Sequence, residues 1–332
     1  MDCCFGRCAS RHIRCALAVW AVLSLGVGCR STGMPDRPPT PAWDVDRAEV
    51  IEWRSSDPAF DQDFALEASG LAVLDGGLLV PSEKYARILV IEPESDFAAT
   101  VVPLGTPRHA EWEGVAVAGD SLVLCDEAHA AVYEISAEAV AGFLEAPSSR
   151  IVDARQLVLE GVGVTGGKIG FEGIETNPRN VGIYLLLDRE GNAETGCVSK
   201  IFSLRRGTDR LVSDAEPLVV ELEDCLWRLT GLAWWGERLI ALNTQFPGER
   251  YEIVAVDLST GESAVVLEMT PFLRSLGGAG WSNNVEGLAV ADDGSLWLVA
   301  DNAVTGVIDD PEPPRIESRT LLVRIPPSRE LD

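Results

Sequence analysis

"NNVEGLAVADDGSLWLVADN", residues 283–302, decides the fold. An acid and a glycine, Glu286 and Gly287, open an apolar run; a turn rich in Asp and Gly follows; a second apolar run ends on Asp301. Apolar runs of this length around such a turn are a β-hairpin. The plan recurs four times upstream, in "SGLAVLDGGLLVPSE" from Ser69, "EGVAVAGDSLVLCDE" from Glu113, "EGIETNPRNVGIYLLLD" from Glu172 and "TGLAWWGERLIALN" from Thr230. Gly70, Gly114, Gly173, Gly231 and Gly287 mark the copies at intervals of 44, 59, 58 and 56 residues. Further β-type runs, among them "ILVIE", "AVYEI", "KIFSL" and "LLVRI", follow the hairpins, and a short helix is expected only around "SAEAVAGFLEA". Repeats of this size predict stacked or radially arranged units, and four-stranded sheets around an axis solve the problem of exposed sheet edges. The expected fold is all-β, a five-bladed β-propeller with six blades the alternative. "AEVIEW", residues 48–53, precedes the first repeat and is expected to supply the strand that closes the last blade.

In an antiparallel hairpin the first residue of one strand lies beside the last of its partner. Glu113 with Asp126, Glu172 with Asp188 and Glu286 with Asp301 therefore gather at one end of the axis, and Ser69 with Glu83 and Thr230 with Asn243 complete the ring. The glycine after each acid suits a place where neighbouring backbones leave no room for a Cβ. Two carboxylates about 6 Å apart repel by roughly 3 kcal/mol at an effective dielectric near 20. Protons, backbone N–H groups or a bound cation would offset this, and oxygen ligands without Cys or His favour calcium. The alternative is that each acid staples its own hairpin through hydrogen bonds.

The order S-G-L, E-G-V, G-F-E-G-I, T-G-L, E-G-L-A, each followed by an apolar strand ending in an acid or Asn, resembles the SdiA-regulated β-propeller family, distant relatives of NHL-repeat propellers. The resemblance covers residues 48–326 and implies a calcium site in an exported or membrane-associated protein. It implies Glu113, Glu172 and Glu286 as metal ligands, joined by Asp126, Asp188 and Asp301; Thr230 departs from the pattern. "VEGLAVADDGSLWLVADN" also resembles the phytase-like, esterase-like propellers, which implies a metal that polarises a carbonyl or phosphoryl oxygen. His109 and His129 bracket the acids of the second repeat and are the candidate general bases. Trp112, Trp234, Trp235, Trp281 and Trp297 are expected to pack between blades, with Trp112 and Trp281 near enough to the acids to wall a pocket.

The first fourteen residues carry Arg7, Arg11 and Arg14, and "CALAVWAVLSLGVG" follows up to Cys29, the order of a secretory signal over residues 1–28. "LGVGC" resembles a bacterial lipobox that acylates Cys29. Residues 29–44 read as a Pro-rich tether and residues 45–332 as the propeller. The expectation is an exported monomer anchored to the cell envelope through lipid, binding a small molecule, a glycan or a protein; a calcium-dependent hydrolase of esters, lactones or phosphate esters is the alternative to a binding module. Without the leader the chain has 24 basic and 51 acidic residues, a charge of −27, which repels a phosphate backbone and excludes nucleic acid. Cys197 and Cys225 are the candidate disulfide of an oxidising compartment. "GVGVTG" from Gly161 has no β-α-β context and is a chance match to a dinucleotide fingerprint.

Overall fold

A computed structural model describes residues 42–51, 53–55, 67–83, 85–106, 110–147, 151–163, 170–179, 182–245, 250–276, 284–301 and 322–328. The leader, Cys29, most of the tether, His109 and Trp281 lie outside them. Strands β1 (Glu49–Ile51) and β2 (Arg54–Ser55) precede a first antiparallel meander of β3 (Ala72–Leu74), β4 (Gly77–Pro81), β5 (Arg87–Glu92) and β6 (Ala98–Gly105), with β2 parallel to β6. The second contains β7 (Trp112–Ala118), β8 (Ser121–Asp126) and β9 (Ala131–Ser136). Helix α1 (Ala137–Glu145) follows, its first turn capped by the Ser136 hydroxyl, which accepts the Ala139 N–H. Strand β10 (Val152–Asp153) then pairs with β6 of the first meander and β11 (Arg155–Glu160) completes the second.

The third meander is β12 (Phe171–Thr176), β13 (Ile183–Asn192) and β14 (Gly196–Arg206), edged by β15 (Arg210–Ser213) and β16 (Leu218–Glu221). The fourth is β17 (Trp227–Trp235), β18 (Arg238–Gln245), β19 (Arg250–Val256) and β20 (Ser263–Glu268), followed by α2 (Thr270–Leu276). The fifth is β21 (Asn284–Val290), β22 (Leu296–Asp301) and β23 (Leu322–Ile325), and β1 is its outermost strand, antiparallel to β23. The start of the domain thus closes its end, as "AEVIEW" predicts. The protein is an all-β propeller, with five meanders among the described residues. No described helix is long and apolar enough to cross a membrane.

Hydrophobic side chains explain why the meanders stack. Leu79, Ile88 and Leu122 fill the space between the first and second; Val123, Phe171 and Ile183 that between the second and third; Leu186, Ile201 and Leu239 the next. Ile240, Ile253 and Leu298 join the fourth to the fifth, and Leu78, Leu89 and Val299 join the fifth back to the first. Burial of this kind is the main stabilising term of such a fold. The innermost strands also touch in a closed circuit, β3 to β7, β12, β17, β21 and back to β3. Crowding there is severe: a Cβ on Gly114 would lie 2.8 Å from the Ile174 nitrogen, and one on Gly287 would lie 2.8 Å from the Gly70 carbonyl carbon. These are the approaches that the repeated glycines permit.

Two boundaries follow from the packing. Ala42 and Trp43 are buried, Trp43 bridges Pro327, and its indole N–H donates to the Gly294 carbonyl at 2.9 Å, so the folded domain begins ahead of the expected residue 45. Cys197 and Cys225 form a disulfide, with Cα atoms 5.2 Å apart, that ties β14 to the segment entering β17.

Candidate functional site

The ring residues sit where strand register breaks. Trp112 pairs with Asp126 and Gly114 with Cys125, which leaves Glu113 unpaired in a one-residue bulge. The same break leaves out Glu172 between Phe171 and Gly173, Thr230 between Leu229 and Gly231, and Glu286 between Val285 and Gly287. In the first repeat the four steps from Ala68 to Ala72 answer three from Leu79 to Ser82. A bulge re-aims a side chain that a regular strand would commit to one face. Glu113, Glu172 and Glu286 are buried at 5–8% exposure, Thr230 is buried, and the buried Ser69 hydroxyl donates to the Trp112 carbonyl.

Arg228 is the counter-charge. It lies two residues before Thr230, where its Nη2 donates to Glu286 Oε1 at 2.8 Å and its Nη1 stands 3.8 Å from Glu172 Oε2. Asn284 Nδ2 donates to the same Glu286 oxygen at 2.8 Å. Burial works against the charge on Arg228, but Glu172, Glu286, Asp188 and Glu113 outweigh it and hold its pKa above the ordinary value. Burial raises Glu286 most, Arg228 opposes it, and the carboxyl settles at about 7. Glu172 is held well above the usual carboxylate range by burial, with Arg228 opposing and Asp188, Glu127 and Glu286 adding to the rise. Glu113 is pushed well up by burial and then by Glu172, Glu286, Glu83 and Glu127, all in the same direction.

The other expected acids divide. Asp188 accepts the Arg189 N–H at 2.5 Å and its charge acts on Glu172, Glu127 and Arg228, so it belongs to the mouth. Asp126 does not pair with Glu113. It is fully buried on the face of its register partner Trp112, with Oδ1 accepting the Glu111 N–H at 3.1 Å and Oδ2 2.8 Å from His129 Nδ1. The backbone of Asp301 pairs with Asn284; its side chain lies outside the described residues. Glu83 acts on Glu113 and Glu286, and Asn243 Nδ2 donates to Glu252 at 3.4 Å. Trp112 is wholly buried and stacks edge-on against Tyr133 at 5.1 Å, which makes it core and not a pocket wall.

Sequence reasoning missed Arg228 and Glu127. A signal for Arg228 existed: the one repeat that replaces its acid or serine with threonine carries an arginine two places earlier, at the spacing that returns to the same face of a strand. Glu127 fills the space left by Gly170, where a Cβ would collide with its side chain.

The donor set is all oxygen, which suits a hard cation. Among the described residues Thr230 Oγ1, Asn243 Oδ1 and Arg228 Nε are buried polar atoms without a hydrogen-bond partner, and the four carboxylates that act most on Glu113 all raise its pKa. Among the described residues no three acid, imidazole or thiol groups converge tightly enough to hold an ion as they stand, because Arg228 occupies the space between Glu172 and Glu286. The expected acids do not form one cage, since Asp126 lies against Trp112 and Arg228 stands between Glu172 and Glu286.

No curated protein matches the chain. Among solved structures it is similar to the glutaminyl cyclase of Myxococcus xanthus, with 13% identity and TM-score 0.49 over 85% of this chain and 97% of that one. It is also similar to the PQQ-bound aldose sugar dehydrogenase of Streptomyces coelicolor, with 13% identity and TM-score 0.43 over 86% and 100%. With the hydrazine synthase of Kuenenia stuttgartiensis the figures are 11% and 0.40, over 75% of this chain; the chain spans 60% of that protein's length. Likenesses of this degree carry no inference about chemistry. The family match is of another kind, because it covers residues 40–303 with the whole acid ring; of the two resemblances in the sequence it is the second. The chain belongs to the phytase-like family described as having the esterase-like activity of phytase.

Proposed function

We propose that the chain is a hydrolase of esters or phosphate esters that works at the acid-lined mouth with calcium. The observation that carries this is Glu286 beside Arg228. A carboxyl at about 7 takes and returns a proton at neutral pH, where general acid–base catalysis is most effective. Arg228, a quarter exposed, brings a guanidinium to the mouth that can face a carbonyl or phosphoryl oxygen as charge builds on it. The hydroxyl of Thr230 adds a group unpartnered among the described residues. Calcium, held on the Glu113 side with Glu286 left on Arg228, would offset the charge of the ring and polarise the same oxygen. The description of the family supports hydrolysis over simple binding.

The disulfide supports an oxidising compartment, and with the apolar leader and Cys29 the proposed setting is export with a lipid anchor. Purified chain should cleave p-nitrophenyl acetate or p-nitrophenyl phosphate with calcium and stop in chelator, and Glu286→Gln should lower kcat by about 100-fold or more. Folded, calcium-loaded chain that turns over neither compound sinks the proposal. The ion pairs of Arg228 favour a second reading, a binding module whose mouth is stapled shut. It predicts melting temperature that responds to calcium without any turnover.

A further inference from the structure

The innermost strands have a second end. Each starts at the acid mouth and runs to a far terminus at Leu74, Ala118, Thr176, Trp235 or Val290. From Glu172 to Thr176 on β12 this is about 13 Å at the rise of a strand. A cavity of about 510 Å³ opens there, and all five innermost strands contribute to it, which places it on the axis. Its walls combine Trp234, Trp235, Glu175, Thr176 and the exposed Asp292 with small side chains such as Ala72 and Ala289. Both indoles are half-buried and fixed from behind. Trp234 meets Tyr184 edge-on at 5.6 Å, and Trp235 packs against Trp43 at 4.9 Å with the Arg238 guanidinium 5.6 Å from its ring.

We propose that this far mouth binds the pyranose ring of a neutral carbohydrate. Indoles held rigid beside water present flat apolar area at little entropic cost, which suits the C–H face of a sugar, while carboxyl and hydroxyl groups beside them suit its hydroxyls. Asp292 on the wall disfavours an anion. A cation is disfavoured because Arg238 already takes the face of Trp235, and because burial pushes the Glu175 carboxyl up to about 8, so that it is neutral at pH 7. Glucose, galactose, N-acetylglucosamine and cellobiose are the probes, titrated into the whole chain with indole emission and calorimetry as readouts. At least one should saturate with Kd on the order of 1 mM or tighter. Trp234→Ala should weaken it about tenfold in the folded variant. Glu175→Ala should weaken it about threefold or more and serves where the tryptophan variant fails to fold. Affinity should be the same with calcium or chelator, which separates this mouth from the acidic one. Saturation by tetramethylammonium in place of the sugars, no saturation by any probe, or unchanged sugar affinity in both variants overturns the proposal.

Discussion

Arg228→Met leaves the acid ring without its built-in cation while keeping most of the side-chain volume. The guanidinium stands 2.8 Å from one buried carboxylate and 3.8 Å from another. At an effective dielectric near 20 a contact of about 4 Å is worth roughly 4 kcal/mol before desolvation is counted. Removing one partner of a buried pair costs about 3–5 kcal/mol, and the quarter exposure of Arg228 favours the lower figure. The effect must depend on pH, with a definite sign. Glu286 moves from an ordinary 4.5 to about 7 in the folded chain, and Glu113 and Glu172 are also raised. The folded state therefore holds more protons than the unfolded one, and stability falls as pH rises from about 4.5 through 7. At pH 5 Glu286 is protonated and Arg228 offers it only hydrogen bonds, about 1 kcal/mol. At pH 8.5 Glu286 is ionised and the variant should lose about 3 kcal/mol, or about 6–12 °C of melting temperature for a domain of this size. Melts of both chains in chelator at the two pH values test this. Equal losses at both, or none at pH 8.5, refute the electrostatic account of the mouth.

Glu113→Gln removes an acid that burial and four neighbouring carboxylates disfavour, so in chelator the chain should gain stability over wild type as pH rises, on the order of 1 kcal/mol by urea titration, and lose any calcium-induced rise. Gly114→Ala drives a Cβ to 2.8 Å from the Ile174 nitrogen and 3.0 Å from Cys125 Sγ; overpacking of this kind costs about 1–3 kcal/mol, read as a lower urea midpoint. Replacing Cys197 and Cys225 by serine opens a loop with a separation of 28 residues, worth roughly 3–4 kcal/mol in the chain-entropy picture, and wild type should fall to the same melting point under reductant.

The fold was legible because its punctuation repeats. Five acid-or-hydroxyl–glycine pairs, each heading an apolar run with a polar turn, announce hairpins whatever lies between them, and "AEVIEW" lacks a partner until it is placed beside "LLVRI". The site was legible only in part. Hairpin logic places Glu113 beside Asp126, but the register pairs Asp126 with Trp112 and leaves Glu113 in the bulge, which sends the two side chains apart. Arg228 was hidden by the choice of Thr230 as the ring member, which read as a missing charge when the opposite charge stood two residues away. Trp43 sat inside a run of prolines that dominates the composition, although a single buried indole outweighs such a run.

The bulge explains why the acids stand where they do. An innermost strand offers the axis its edge, while its two faces belong to neighbouring meanders: Val115 packs toward the first and Ala116 toward the third, Leu232 toward the third and Ala233 toward the fifth. The regular positions that follow the glycine are committed to hydrophobic layers, where an ionised carboxylate would be prohibitively costly. The residue left out of the alternation can turn to the axis, where Arg228 and Asn284 meet Glu286 from the strand entries, and the glycine that follows it lets the next backbone come close enough to close the ring. Moving Glu113 one place would put its charge at the core position of Trp112, against Tyr133, or at the crowded position of Gly114, against Cys125 and Ile174. The acid, the bulge and the glycine are thus one device, repeated around the ring, and Thr230 with Arg228 is the copy in which the charge is inverted.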